Sequence, residues 1–270
     1  MPASFNAFAR SYLFVPALRT DRFAKALASG AHAVIADLED AVPVKEKETA
    51  REALSQWLKE NPGCPMMLRV NAAGTPWHED DLRLAALPNV VAVVVPKAER
   101  AEEMPTLRDT ALIPIIETGR GFERLDSIAA HSGVRRLVFG TYDFRADLNL
   151  GDAPEALLYF SSRLVLASRL ANLPSPVDGV MVNVLDDSGW LAEARRARSI
   201  GFGGKLCIHP RQVQAVNEGF SPSAAEVAWA DKVVAGVGER ETAVVDGQFV
   251  DRPVLLRARA ILQQHGRARS

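Results

Sequence analysis

The sequence predicts an α/β protein built as one (β/α)8 (TIM) barrel with a short C-terminal helical segment, and three observations carry that prediction. Eight short runs rich in Val, Ile, Leu and Met recur along the chain, most of them starting about 20 to 40 residues apart, the spacing of repeated βα units. The runs are apolar throughout rather than alternating, as strands covered on both faces require. Finally, almost every run ends in a polar residue, and in such a barrel the C-terminal strand ends form the active-site face.

Taken in order, the predicted strands are "SYLFVPA" (11–17), "AVIADLE" (33–39), "MMLRVN" (66–71) and "VVAVVVPK" (90–97), then "ALIPIIET" (111–118), "RRLVFGTYD" (135–143), "VDGVMVNV" (177–184) and "GKLCIHP" (204–210). Amphipathic stretches rich in Ala, Leu, Glu and Arg lie between them and predict helices over 21–29, 45–60, 121–131, 155–172 and 188–200, with two more over 222–236 and 252–265. No linker rich in Pro, Gly or Ser divides the chain. The expectation is therefore one domain over 1–270, with the barrel over about 10–220 and the helical segment over about 221–270. A doubly wound open sheet is the competing architecture.

Composition narrows the function classes. Of the 270 residues 48% are hydrophobic and 24% charged, the balance of a soluble globular protein. A net charge of −1 supplies no basic field for nucleic acid, so any anion has to be held by local side chains. No apolar run reaches the ~18 residues of a membrane span. The N-terminal stretch lacks the basic-then-apolar order of a signal peptide. Two cysteines, Cys64 and Cys207, have no metal-ligand spacing and suggest a reducing, cytoplasmic setting. Walker and G-x-G-x-x-G phosphate motifs are absent.

The polar strand ends are Asp37 and Glu39, Arg69 and Asn71, Lys97, Glu117, Asp143 and His209. Glu117 in "PIIETGRGF" is followed by Gly119 and Gly121, and Asp143 in "LVFGTYDF" by one strand's interval, after Gly140; such glycines let a backbone approach a ligand closely. Two carboxylates from adjacent strands, with no His or Cys cluster beside them, suit a hard ion such as Mg2+. Capping of the following helix is the plain structural alternative for each acid. Packing Asp37, Glu39, Glu117 and Asp143 around one mouth is unfavourable without a cation. The expectation is that Glu117 and Asp143 ligate a metal directly, while Glu39, with Asp40 as a further candidate, holds its waters. Arg69 suits an anionic partner through its planar fork, either a substrate carboxylate or Asp37 or Glu39. Lys97 meets an anion or makes a simple ion pair. His32 lies at the wrong strand end, His78 fits a helix start, His209 orients the eighth loop, and Cys207 reads as an inert buried thiol.

In order, "RSYLFVPA", "DLEDAV" followed by "KETAR", "LRVN", "VVPKAE", "PIIET", "FGTYDF", "GFGGKLCIHP" and "VDRPVLLRARAIL" resemble the citrate lyase β-subunit-like branch of the HpcH/HpaI aldolase and citrate lyase superfamily, over roughly residues 10–265. The resemblance implies a Mg2+-dependent barrel that cleaves or forms a C–C bond in a 3-hydroxyacyl thioester such as citryl, malyl or citramalyl, carried on coenzyme A or acyl carrier protein. By motif it implies Glu117 and Asp143 as metal ligands, Arg69 as the contact to substrate carboxylate or enolate, and Glu39 beside the metal waters. Gly140, Arg10 and Lys97 become candidates for contacts to substrate or carrier. Asp251 matches an acid/base that in some relatives reaches a neighbouring subunit's site, which implies a homotrimer or homohexamer. The short segment after the last helix and Asn183, where acids are frequent, depart from the pattern and bear on substrate choice. Two other readings stay open: a pyruvate-type class II aldolase, and a carrier-dependent subunit of a larger lyase complex.

Overall fold

The computed structural model describes residues 5–269 except Asp109, Asp186 and 238–241, and side chains as far as Gly266. The chain divides into two compact units, Met1–Asn217 and Glu218–Ser270.

The first unit is a closed barrel of eight parallel strands in sequential order. They are β1 (Ser11–Pro16), β2 (Ala33–Asp37), β3 (Met66–Arg69), β4 (Val90–Val95), β5 (Ala111–Ile116), β6 (Val138–Phe139), β7 (Val177–Asp178) and β8 (Gly204–Cys207). The doubly wound alternative is thereby excluded: β1 pairs with both β2 and β8, so no edge remains. Inside, Tyr12, Ile35, Met67, Val94, Ile113, Val138, Val177 and Leu206 form one buried cluster, which makes the barrel a packed core and not a pore. At the N-terminal end the buried guanidinium of Arg136 donates to the Ala9 carbonyl and the Tyr12 hydroxyl at 2.7 Å each, closing that end with satisfied polar groups.

Helices α1 (Phe23–Leu27), α2 (Lys47–Glu60), α3 (His78–Leu82), α4 (Gly119–Glu123), α5 (Leu125–Ala129), α6 (Thr141–Leu148), α7 (Leu158–Leu170) and α8 (Trp190–Ile200) connect the strands, and α9 (Gln212–Gly219) follows β8. Helix α2 shows why the pattern folds this way: Lys47, Ala50, Leu54 and Leu58 recur at helical spacing, and these are its buried residues. Two expectations need correction. The strand predicted over 135–143 is only Val138–Phe139, because Gly140 ends it and Thr141 opens α6, so Asp143 sits in the first turn of a helix. The short helix α9 falls in a stretch where no helix is predicted, whereas α3 begins at His78, the expected helix start.

The second unit holds α10 (Ala224–Val237), a hairpin of β9 (Ala243–Val245) and β10 (Gln248–Val250), and α11 (Arg252–Arg269). Ala230, Val233, Val237, Val250, Ala258 and Ile261 form its own core. The hairpin, unforeseen from the sequence, turns on Asp246 and Gly247, both left-handed at φ 49° and 77°, the Asp-Gly signature of a tight β-turn. Among the described residues, no helix is long and apolar enough to cross a membrane.

Candidate active site

At the C-terminal ends of the strands a cavity of about 380 Å³ is lined by Asp37, Asp40, Arg69, Glu117, Gly140 and Asp143, with Phe14, Ile115, Val180, Leu206 and Ile208 supplying apolar walls. Strand register sets its first feature. Asp37 and Arg69 are paired positions on β2 and β3, so their side chains leave the sheet at the same level. Arg69 Nε donates to Asp37 Oδ1 at 2.7 Å and Nη2 to Oδ2 at 2.6 Å, a two-pronged bond between buried groups. Asp37 Oδ1 also accepts from the Glu39 backbone N–H at 2.9 Å. The Arg69 guanidinium stacks 4.7 Å from the Phe14 ring centre. Burial works against its charge, but Asp37, Glu39 and Asp40 outweigh it and raise its pKa further.

The planar fork expected to grip a substrate carboxylate is therefore already engaged by Asp37. Only Nη1 is turned elsewhere, 3.0 Å from Glu39 Oε2 and 3.3 Å from Asp40 Oδ2. The Glu39 contact is close in charge but off the N–H direction: Oε2 is buried and has no hydrogen-bond partner among the described residues. The other oxygen, Oε1, accepts from Lys97 Nζ at 2.8 Å. Burial raises the Glu39 pKa, with Arg69 and Lys97 opposing the rise.

Lys97 also works through its backbone. Its φ of 47° is left-handed, a conformation a non-glycine residue adopts only at a cost, and it places its N–H 2.7 Å from Glu117 Oε1. Glu117, 3% exposed, has its pKa pushed up to about 8, first by burial and then by the charges of Glu39 and Asp143. Gly140 is explained by the same carboxyl group: a Cβ there would lie 2.5 Å from both Cβ and Oε2 of Glu117. Its missing side chain makes room for Glu117, a more specific duty than the backbone approach to substrate expected of it.

The ring of acids is thus partly neutralised by the chain's own cations. Arg69 and Lys97 pair with Asp37 and Glu39. A residue with no predicted role, Lys47, adds positive charge nearby through backbone bonds, its Nζ donating to the carbonyls of Leu38 and Glu39 at 2.7 and 2.6 Å. The pair left without such a partner is Glu117 and Asp143, and these could hold a divalent cation. Both line the cavity, and Glu39 Oε2, buried and without a hydrogen-bond partner among the described residues, is an acceptor that a bound water could satisfy. Among the described residues no group of three or more His, Cys, Asp or Glu side chains converges on one ion, so solvent and substrate oxygens would complete the shell.

Other candidates fall outside this cluster. Arg10 precedes β1 at the N-terminal end of the barrel, opposite the cavity. Its backbone N–H donates to His32 Nδ1 at 3.1 Å and its Nη2 lies 3.3 Å from His32 Nε2, a placement that argues against a contact to substrate. His78 does begin α3 and bonds the Asn71 carbonyl. His209 Nδ1 accepts from Arg211 N–H in the loop after β8, and burial pushes the Cys207 thiol up to about 12, leaving it inert. Asp251 belongs to the second unit, where its carboxylate accepts from Val254 N–H and caps α11. In hindsight "KETAR" carried the signal for Lys47: a cation at the start of a helix that follows directly on an acidic loop.

A closed parallel barrel with carboxylates and an arginine at its C-terminal mouth defines the class, and comparison defines the family. A model described as HpcH/HpaI aldolase/citrate lyase matches residues 10–210, and the chain belongs to this family. The citrate lyase subunit beta-like protein of Mycobacterium tuberculosis is 35% identical over 278 residues, covering 99% of each chain. A (3S)-malyl-CoA thioesterase of Cereibacter sphaeroides is 34% identical over 267 residues, 94% of this chain and 93% of its own. Among solved structures, CitE from M. tuberculosis in complex with magnesium, acetoacetate and coenzyme A has a TM-score of 0.85 at 34% identity, covering 97% of this chain and 100% of that one. The citrate lyase beta subunit from M. tuberculosis complexed with oxaloacetate and magnesium has a TM-score of 0.71 at 32% identity, covering 81% and 100%.

Proposed function

We propose that the protein is a Mg2+-dependent carbon–carbon lyase that cleaves, or in reverse forms, a 3-hydroxyacyl-coenzyme A thioester, yielding a 2-oxo acid and an acyl-CoA. The observation that carries this reading is Glu117 and Asp143 lining one cavity with Arg69 while the other acids there are already partnered. The magnesium, oxaloacetate and coenzyme A of the related structures support it.

When bound, Mg2+ supplies Lewis-acid polarisation of the substrate's hydroxyl and carboxylate oxygens. Glu117 and Asp143 hold the ion. As the C–C bond breaks, its electron pair passes to the thioester, whose carbonyl oxygen becomes an enolate oxygen. Arg69 Nη1, which among the described residues bonds only the half-exposed Asp40 at 3.3 Å, is the donor that can turn to that growing charge, and the bond between Asp37 and the rest of the guanidinium holds it in place. The hydroxyl gives up its proton to solvent as it becomes the oxo group. Asp251, donated in its protonated form by a second copy of the chain in a homotrimer or homohexamer, delivers a proton to the enolate carbon and is reprotonated from solvent.

The test is product analysis with malyl-, citramalyl- and citryl-CoA in the presence of Mg2+. The proposal expects an oxo acid and an acyl-CoA, and expects Glu117→Ala to abolish both. Free coenzyme A with intact hydroxy acid identifies a thioesterase instead, the activity named for the C. sphaeroides relative. Turnover only with acyl-carrier-protein thioesters marks a subunit of a larger complex.

A further inference from the structure

We propose that Lys47 is a positioning residue for this reaction: it fixes the backbone turn that aims Glu39, and the face of α2 that carries Lys47 and Arg51 braces the two loops of the site. The proposal rests on the reading of Glu39 and Arg69 given above.

Lys47 and Arg51 are four residues apart in α2 and so share a face of the helix. Lys47 is 5% exposed, and its ammonium bonds the carbonyls of two consecutive residues, Leu38 and Glu39. Successive carbonyls on an extended strand point in opposite directions, so one ammonium reaches both only where the chain has turned. That turn comes immediately after β2, and Val42 N–H bonds the same Glu39 carbonyl at 3.0 Å. Its product is the placement of the Glu39 carboxylate against Arg69 Nη1 and Lys97 Nζ. Arg51 supports the next loop by the same logic. Its Nε bonds Asp81 Oδ1 at 2.8 Å, and Asp81 Oδ2 accepts from Asn71 N–H at 2.9 Å and Asn71 Nδ2 at 2.6 Å, two residues beyond Arg69.

A buried ammonium is a costly way to satisfy two carbonyls, since a neutral donor does so with less desolvation. The charge is useful because of its neighbours: burial lowers the Lys47 pKa, while Asp37, Glu39, Asp81 and Asp40 all act to raise it. Lys47 thus combines a mechanical tie with positive charge beside the acids that face the cavity.

The experiment compares the full-length wild type with Lys47→Met, Lys47→Arg and, as a control on the exposed face of the same helix, Lys59→Met. Melting temperature, Mn2+ affinity by electron paramagnetic resonance with Mn2+ as the probe ion, and kcat and KM for the thioester are read for each. Lys47→Met is expected to weaken Mn2+ binding and lower kcat by about tenfold or more with KM little changed, the size typical of losing a group that orients a metal's surroundings. Lys47→Arg, which keeps the charge and two donors, should recover most of that loss, and Lys59→Met should match wild type. A purely structural Lys47 would lower the melting temperature and leave Mn2+ affinity and kcat of the folded protein unchanged; that result overturns the proposal. If Lys47→Met does not fold, Lys47→Gln, which reaches one carbonyl without charge, decides by the same criteria. A wild type that neither binds Mn2+ nor cleaves any thioester removes the functional reading and this inference together, whereas an active wild type matched by Lys47→Met removes this inference alone.

Discussion

At the residue scale the most informative group is Glu117, whose carboxyl pKa is pushed up to about 8 from an ordinary 4.5. A carboxyl with a raised folded-state pKa contributes stability that is complete below its unfolded value and is lost as pH rises through the folded one. The metal-free protein is therefore expected to lose a few kcal/mol of unfolding free energy between about pH 5 and pH 8, as Glu117 is made to ionise in a buried site. Mg2+ binding has the opposite dependence, because the ion needs the ionised carboxylate. Its apparent affinity should rise about tenfold per pH unit up to about pH 8, level off above, and release about one proton per ion below it. Calorimetric titrations across pH, in buffers of different ionisation enthalpy, check both slope and proton count; a flat profile would remove Glu117 from the ligand set. Arg69 teaches a different lesson. An arginine next to a strand end announced an anionic partner, but whether that partner was Asp37 or a substrate depended on β2–β3 register, which single residues do not display.

At the scale of elements, strand positions were readable because parallel barrel strands are apolar on both faces, and all eight runs contain their strand. The ends were less readable. "RRLVFGTYD" mixes strand-forming residues with a glycine, and the helix that begins at Thr141 depends on Gly140 packing under Glu117 of the neighbouring strand. That dependence makes Gly140→Ala a sharp probe of how β5 and β6 share the site. The added methyl would lie 2.5 Å from both Cβ and Oε2 of Glu117 and 2.9 Å from Ile115 Cγ2, so the backbone around Gly140 and Glu117 has to shift and the carboxyl group moves off its bond from Lys97 N–H. Mn2+ binding should fall by at least about tenfold. The barrel's other strands should keep the circular dichroism spectrum, with a lower melting temperature from the pressure on Ile115 in the core. Retained affinity would show that the backbone can give way without displacing the Glu117 carboxylate, and that the tight fit is incidental.

At the scale of the whole molecule, the barrel supplies Glu117, Asp143, Arg69 and Glu39, while Asp251 belongs to a second unit with its own core. The order of motifs along the chain made the family legible, yet no sequence pattern states which copy of the chain an Asp251 carboxylate serves. Mixing two disabled variants answers this. Glu117→Ala removes a proposed metal ligand but keeps Asp251; Asp251→Asn keeps Glu117 and Asp143 and removes the proposed proton donor. If Asp251 acts within its own chain, every site in a mixed oligomer carries one defect and the mixture stays inactive. If each site borrows Asp251 from the next copy around a cyclic oligomer, a site is intact whenever an Asp251→Asn chain is followed by a Glu117→Ala chain. Random assembly at equal ratio makes that about one site in four, so about a quarter of wild-type activity should appear on co-refolding or co-expression and not on simple addition of preformed oligomers. Asp251→Asn active by itself would take the residue out of the chemistry and leave its carboxylate the single duty visible at Val254 N–H, capping α11.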